Sequence, residues 1–419
     1  MTKRSPPEPS GDFPPIPVDD VVSARSALAS AVVRTPLVEA ASLSAEIGAR
    51  IFLKLENLQV TGSFKARGAL IRLLALDQAE RAAGVVAMSA GNHAQGVAWH
   101  ARRLRIPATI VMPTTTPFTK VERTEAMGAT VILSGDTLAD SQAQAERLMN
   151  ERGMTLIHPY DDRHIMAGQG TIGAEMLDDA PDLDTLVVPV GGGGLIAGIA
   201  SYVKATHPTV TIIGVQVEGF APLARRPTAM AGMRGQTLAE GIAVKHPGIR
   251  TRAIIEKLVD DVVTVGETAV EQAVERLLEC QKQVVEGAGA TPLAAVMTDP
   301  DRFADRKVGL VISGGNIDNR LLSSLLMRGL VRDGRLARLR IEISDAPGTL
   351  AKVSALIGKG GGNILEVHHQ RLFQDIPVKY AELDVTVETV DTAHLHAIIS
   401  KLGTAGFPTR LLGRSAVTE

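Results

Sequence analysis

One lysine in this chain is framed for reaction. It stands in Thr61-Gly62-Ser63-Phe64-Lys65-Ala66-Arg67-Gly68-Ala69, after the alternating stretch 51–56 and before the apolar-periodic stretch 68–74. The first reads as a strand and the second as a helix, so Lys65 lies in a turn framed by glycine and serine. A lysine there can point its amine into a cleft rather than along a solvated face. Desolvation and a neighbouring cation can then lower its pKa until it acts as nucleophile or base. Schiff-base chemistry needs such an amine.

Three small-residue loops could complete a site around it. Val187-Val188-Pro189-Val190 runs into Gly191, Gly192, Gly193 and Gly194, and a helical pattern starts at Leu195. Glycines there leave backbone N–H groups open at a helix N-terminus, which suits a phosphate. Gly192-Gly193-Gly194-Leu195-Ile196-Ala197 also satisfies the dinucleotide pattern G-x-G-x-x-A, with Glu218 after the next strand. Alone, this loop leaves a nucleotide, another phosphate cofactor and tight packing open. The lysine favours the second, because a dinucleotide enzyme has no need of it. The loop Ser89-Ala90-Gly91-Asn92-His93-Ala94-Gln95-Gly96 can aim successive N–H groups at one anion, such as an amino-acid carboxylate, or can be a capped helix start. Ser313-Gly314-Gly315-Asn316 offers a hydroxyl to a heteroaromatic nitrogen, or is an ordinary turn.

The elements that must position these loops alternate. Strand-like runs at 84–88, 108–112, 130–133, 185–190, 211–217 and 308–312 are separated by helical stretches such as 94–103, 138–152, 195–205 and 270–284. This order implies βαβ units and parallel sheet covered on both faces, with ligand loops at the strand carboxyl ends. A catalytic domain over 20–330 follows, preceded by a Pro-rich arm over 1–19 expected to be disordered. The basic stretch 331–338 reads as a solvated linker. Residues 339–419 then give β-α-β-β-α-β, the order of a ferredoxin-like module.

The bulk numbers narrow the partners. A net charge of −2 with 21% charged residues argues against nucleic acid as a main partner. The single cysteine, Cys280, excludes an internal disulfide framework and fits a reducing compartment; it reads as core or helix surface. No apolar run approaches a membrane span and no signal peptide is visible, so the cytoplasm is the expected location.

Taken in this order, the four motifs resemble the fold-type II pyridoxal-phosphate enzymes (tryptophan synthase β-like, two open α/β subdomains). Among them, the chain from about residue 20 onward resembles the threonine ammonia-lyase (threonine dehydratase) family with a C-terminal ACT domain. The resemblance implies that Lys65 carries pyridoxal 5'-phosphate covalently and, once displaced by the substrate amine, removes the α-proton. Phe64 would pack on the cofactor ring, Asn92 would meet its 3-hydroxyl, Gly191 to Gly194 would bind its phosphate and Ser313 would face the ring nitrogen. Ser89, Gly91, Asn92 and His93 would hold the substrate carboxylate. The family's proton donor to the departing β-hydroxyl is the cofactor phosphate.

Two departures refine this. Related serine racemases carry a serine where this chain has Ala90; a methyl group shuttles no proton, which favours elimination. Cation-dependent relatives pair the acid matching Glu218 with a carboxylate at the position of Ala224, so no divalent metal site is expected. In the tail, Asp345-Ala346-Pro347-Gly348-Thr349-Leu350 and Gly360-Gly361-Gly362-Asn363-Ile364 resemble the ACT pattern. That implies amino-acid regulation through Asp345, Pro347, Gly348 and Asn363, or a module that only pairs subunits. A homo-oligomer, tetramer or dimer, is the matching expectation. Two other readings stay open: a dehydratase or racemase for serine or 3-hydroxyaspartate, and a non-catalytic amino-acid sensor.

Overall fold

A computed structural model describes residues 13–224, 236–370 and 379–413. It divides into two compact units, residues 1–317 and 318–419.

Among the described residues, the first unit holds two sheets. In the larger, the order is Leu37–Glu39, Arg50–Leu55, Lys307–Ile312, Thr185–Pro189, Thr211–Val217 and Asp261–Val265. The first pair is antiparallel and every later pairing is parallel. The smaller sheet is wholly parallel, in the order Thr130–Leu133, Ala108–Met112, Val85–Met88 and Thr155–Leu156. Central strands such as Ala108–Met112 and Thr185–Pro189 are buried at every position, as parallel strands covered on both faces must be. Each sheet has its own core, one around Ile199, Leu186 and Val188 and one around Val97, Ile110 and Leu73. The expected α/β architecture with two subdomains is what forms.

Four differences from the sequence reading have physical causes. The helix after the lysine motif is Lys65–Leu74, so Lys65 is its first residue and not a turn residue ahead of it. Of the expected disordered arm, residues 1–12 lie outside the described residues, while Ile16 is buried and its amide donates to Ser201 Oγ at 3.0 Å. Helix Val18–Leu28 begins directly after Pro17 and buries Val21, Ala24 and Leu28. The expected linker is largely regular structure. Helix Asn319–Arg332 belongs to the second unit, and strand Leu336–Ser344 starts inside the stretch read as turn-like. Of its basic residues, Arg332 ends the helix while Arg338 lies on the strand and donates to Asp384 at 3.2 Å. Arg340, just past the stretch, makes paired bonds of 2.6 and 2.8 Å to the same carboxyl, and the two arginines hold it below the usual range.

The second unit carries the antiparallel sheet Asn363–Gln370, Tyr380–Glu388, Leu336–Ser344, Thr409–Leu412, with helices Thr349–Lys359 and Thr392–Thr404. That is the ferredoxin-like arrangement expected. Leu339, Ile341, Val385, Ile357 and Leu402 form its separate core.

Candidate active site

Lys65 follows strand Arg50–Leu55, and its loop is stitched to the loop after strand Lys307–Ile312. Phe64 N–H donates to the Ser313 carbonyl at 3.0 Å, Gly315 N–H donates to Gly62 O at 2.9 Å, and Ser63 and Gly314 form a β-bridge. Ser313 is buried. The lysine and the hydroxyl that the sequence placed 248 positions apart (313 − 65) are thus brought together by backbone pairing.

The Lys65 amine donates to the Pro159 carbonyl at 2.7 Å and lies 5.1 Å from the Phe64 ring centre. Desolvation draws its pKa from 10.5 down to about 8, and the Glu286 carboxylate opposes that fall. Its place at a helix N-terminus, where the dipole is positive, further disfavours the ammonium form. No neighbouring cation is needed. Near neutral pH a far larger share of this amine is neutral than of an ordinary lysine's, and the neutral form is the one that attacks a carbonyl or takes a proton.

Behind the site lies a buried charge cluster. Arg67, two residues past Lys65, is bonded through Nε and Nη2 to Glu56 at 2.9 and 2.8 Å and through Nη1 to Glu175 at 2.7 Å. Lys54 closes the group on Glu175 at 2.6 Å. All four side chains are essentially inaccessible. Two cations and two carboxylates balance, so the cluster can hold the lysine helix, strand Arg50–Leu55 and helix Arg163–Asp179 in one register without net buried charge.

Gly191, Gly192, Gly193 and Gly194 lead into helix Gly194–Thr206, whose first N–H groups have no intrahelical partner. A Cβ on Gly192 would meet the Tyr160 ring at 2.2 Å, so only glycine lets that ring lie against the loop. Thr251 Oγ1 donates to Gly192 O at 2.7 Å and fixes the loop from the other side. Pro159 and Tyr160 are adjacent, so one segment touches both the lysine amine and the glycine loop.

Ser89, Gly91, Asn92 and His93 surround the start of helix Asn92–Leu104, with Gly91 N–H bonded to Ser89 Oγ at 3.1 Å. The His93 ring is buried with Nε2 at 2.8 Å from the Ile157 carbonyl. A carbonyl only accepts, so Nε2 carries the proton and Nδ1 is a lone pair. Burial and then Lys65 push the ring down to about 3, so it is neutral. What His93 can offer a carboxylate is therefore its main-chain N–H.

Several residues here carried no assigned role in the sequence. Asn92 Nδ2 donates to Glu286 Oε1 at 2.7 Å, and Asn316 Nδ2 donates to Asn92 Oδ1 and Thr61 O, both at 2.8 Å. Burial raises Glu286 to about 7, with the Asn92 bond opposing. Glu286, Pro159, Tyr160 and Thr251 sit in stretches whose composition reads only as caps and turns. Asn316 belongs to a motif but shows no partner in sequence.

The expected regulatory residues fall in two places within the chain. Asp345, Pro347 and Gly348 form the turn before helix Thr349–Lys359, with Gly348 at φ 85°. Asn363 pairs with Glu388, at the opposite end of the sheet from Ser344, which pairs with Tyr380. Among the described residues no group of His, Cys, Asp and Glu is placed to hold a metal, and no helix is long and apolar enough to cross a membrane.

Fold and lysine site together fit a class: an α/β enzyme whose lysine would hold a phosphate-bearing carbonyl cofactor. Comparison with known proteins is more specific. The family described as pyridoxal-phosphate dependent enzyme matches residues 28–314, and the ACT domain matches residues 334–405. This chain belongs to the pyridoxal-phosphate-dependent enzyme family, uses pyridoxal 5'-phosphate as cofactor and carries a C-terminal ACT domain. It is 42% identical over 401 residues to the L-threonine ammonia-lyase of Thermotoga maritima, covering 95% of this chain and 100% of that protein. The processed form of threonine deaminase isoform 2 from Solanum lycopersicum is 33% identical with a TM-score of 0.68, covering 75% of this chain and 95% of that one. Maize serine racemase is similar at 33% identity and a TM-score of 0.68, covering 75% of this chain and 98% of that one. The dinucleotide reading of the glycine loop falls with the family assignment.

The residues present fit the cofactor. The first N–H groups of helix Gly194–Thr206, which follow the glycine loop, have no intrahelical partner and suit a phosphate, and the Lys65 amine is desolvated. Ser63 Oγ and His93 Nδ1 are buried polar atoms without a protein partner.

Proposed function

We propose that this protein converts L-threonine to 2-oxobutanoate and ammonia, with L-serine to pyruvate as a side activity. The observation that carries the reading is the Lys65 amine, desolvated to about 8 and held by Pro159 O within reach of the family's cofactor loops. The choice of threonine rests on the likeness to the Thermotoga enzyme over that protein's whole length.

When bound, pyridoxal phosphate supplies an electron sink for the charge left at the α-carbon. The rest is the work of this chain. Lys65 would hold the cofactor covalently; once the substrate amine has displaced it, the neutral Nζ takes the α-proton. Gly191 to Gly194 would hold the phosphate by N–H groups, Phe64 would pack on the ring and Ser313 would face its nitrogen as a neutral hydroxyl. Ser89, Gly91 and the main-chain N–H groups of Asn92 and His93 would orient the substrate carboxylate at the start of helix Asn92–Leu104. Ala90 places a methyl group where a second base would be needed for inversion, so proton removal leads to loss of the β-hydroxyl. The enamine released hydrolyses to the 2-oxo acid and ammonia.

Replacing Lys65 by alanine should cut 2-oxobutanoate release by at least about a thousandfold in a steady-state assay. Retention of full turnover would sink the proposal. The likeness to maize serine racemase favours one alternative, racemisation of serine; a panel of threonine, serine and 3-hydroxyaspartate with chiral product analysis separates them. Around this core we assign an amino-acid effector to the Asp345, Pro347 and Gly348 turn. A homo-oligomer in the cytoplasm completes the proposal; the exposed Leu365 and Val367 on strand Asn363–Gln370 support association. Sedimentation, and rates with added isoleucine or valine, test these parts.

A further inference from the structure

Asn92 is held at both ends of its amide. Its oxygen accepts from Asn316 Nδ2 and its nitrogen gives one hydrogen to Glu286, each bond at 2.7–2.8 Å. The direction of this chain is not arbitrary. Thr61 O is a carbonyl and can only accept, so the Asn316 nitrogen, at 2.8 Å, must be the end beside it. The same nitrogen then needs an acceptor in Asn92, which fixes the Asn92 oxygen there and its NH2 group on the Glu286 side. An amide nitrogen has two hydrogens, and Glu286 uses one. One N–H of Asn92 remains.

The backbone is built around this clamp. Gly62 has φ 70°, and a Cβ there would lie 2.6 Å from Asn316 Oδ1; a Cβ on Gly314 would lie 2.6 Å from Glu286 Oε1. Both glycines leave room for the two clamping side chains. Glu286 N–H donates to Gly314 O at 3.1 Å and Gly315 N–H to Gly62 O at 2.9 Å, so the segments carrying them are tied to each other.

We propose that Asn316 and Glu286 are positioning residues that fix the Asn92 amide so that it offers an N–H, and not its oxygen, to the 3-oxygen of the cofactor. This rests on the pyridoxal-phosphate reading of the site. A donor at that oxygen stabilises its anionic form, which colours the bound cofactor; an acceptor would favour the protonated form, which absorbs in the near ultraviolet.

The test uses the full-length holoenzyme and reads absorbance and cofactor affinity alongside activity. Asn316→Asp has the same shape but no donor, so Asn92 turns its NH2 group toward the new carboxylate and its oxygen away. Its visible-to-near-ultraviolet absorbance ratio should fall several-fold, with cofactor affinity down about tenfold. Asn316→Ala removes the same donor without adding charge and should move both readouts the same way, which keeps the test sound if the aspartate variant does not fold. Glu286→Gln still accepts the Asn92 N–H through its amide oxygen and should keep the wild-type ratio within about twofold. Wild-type ratio and affinity in both Asn316 variants would overturn the clamp. So would a loss in Glu286→Gln equal to that in Asn316→Asp, since charge and not amide direction would then be at work. A wild-type protein that gains no visible band with cofactor overturns the cofactor reading and the clamp with it, whereas an intact wild-type band with unmoved variants overturns the clamp alone.

Discussion

At the scale of single residues, the chemistry turns on where protons sit. Lys65 has a folded-state pKa of about 8 against 10.5 when unfolded, with desolvation as the main cause. Between these values the unfolded chain binds more protons than the folded one, so cofactor-free protein should gain stability as pH rises through that window and lose it as pH falls toward 8. Denaturant midpoints of cofactor-free protein across this range should rise, and the Lys65→Met variant should show a smaller slope. Equal slopes in the two proteins would place the titration elsewhere. Ala90 is the second residue of interest. In the proposed site, where residue 90 would lie on the face opposite Lys65, Ala90→Ser adds a proton-bearing group there, so chiral chromatography should detect D-serine formed from L-serine, at some expense of elimination. Undiminished elimination with no D-serine would remove Ala90 from the explanation of reaction choice.

Elements hold these residues by two devices that a composition count does not reveal. Backbone pairing of residues 62–64 with 313–315 sets the lysine against the Ser313 loop. The buried Arg67, Glu56, Glu175 and Lys54 cluster sets the lysine helix against its strand and against helix Arg163–Asp179. Removing Arg67 leaves Glu56 and Glu175 buried with one cation between them. Arg67→Ala should therefore cost about 3–5 kcal/mol of unfolding free energy. A shift in urea midpoint equivalent to less than about 1 kcal/mol would mean that the cluster contributes little to holding the helix. Arg67 was quoted in the sequence motif, yet nothing there marked it as buried. Its partners lie 11 and 108 positions away.

The whole molecule consists of two units that share no core: the first holds the cores of its two α/β sheets and the second that of the antiparallel sheet. Separate cores can unfold separately, so denaturation of the holoenzyme should show two transitions, with the cofactor signal lost in only one. Coincident loss of secondary structure and cofactor signal in a single step would show that the units are energetically coupled. The strand and helix order of the tail was legible because alternation and turn residues are local signals. The 331–338 stretch misled for the same reason: Arg338 looks solvated until Asp384, from another strand, is placed beside it.

The sequence by itself determined the class of chemistry. One lysine just after a small-residue turn, three loops at strand ends and a β-α-β-β-α-β tail are local patterns, and local patterns survive in one dimension. The tertiary structure alone decided what surrounds the reactive atoms. It put the Lys65 amine on Pro159 O, made His93 a neutral ring bonded to Ile157 O, and joined Asn92 to Glu286 and Asn316 across 194 and 224 positions. The physical reason is that pKa and hydrogen-bond direction depend on desolvation and on partners a few ångströms away in space, and those are fixed only when distant segments pack.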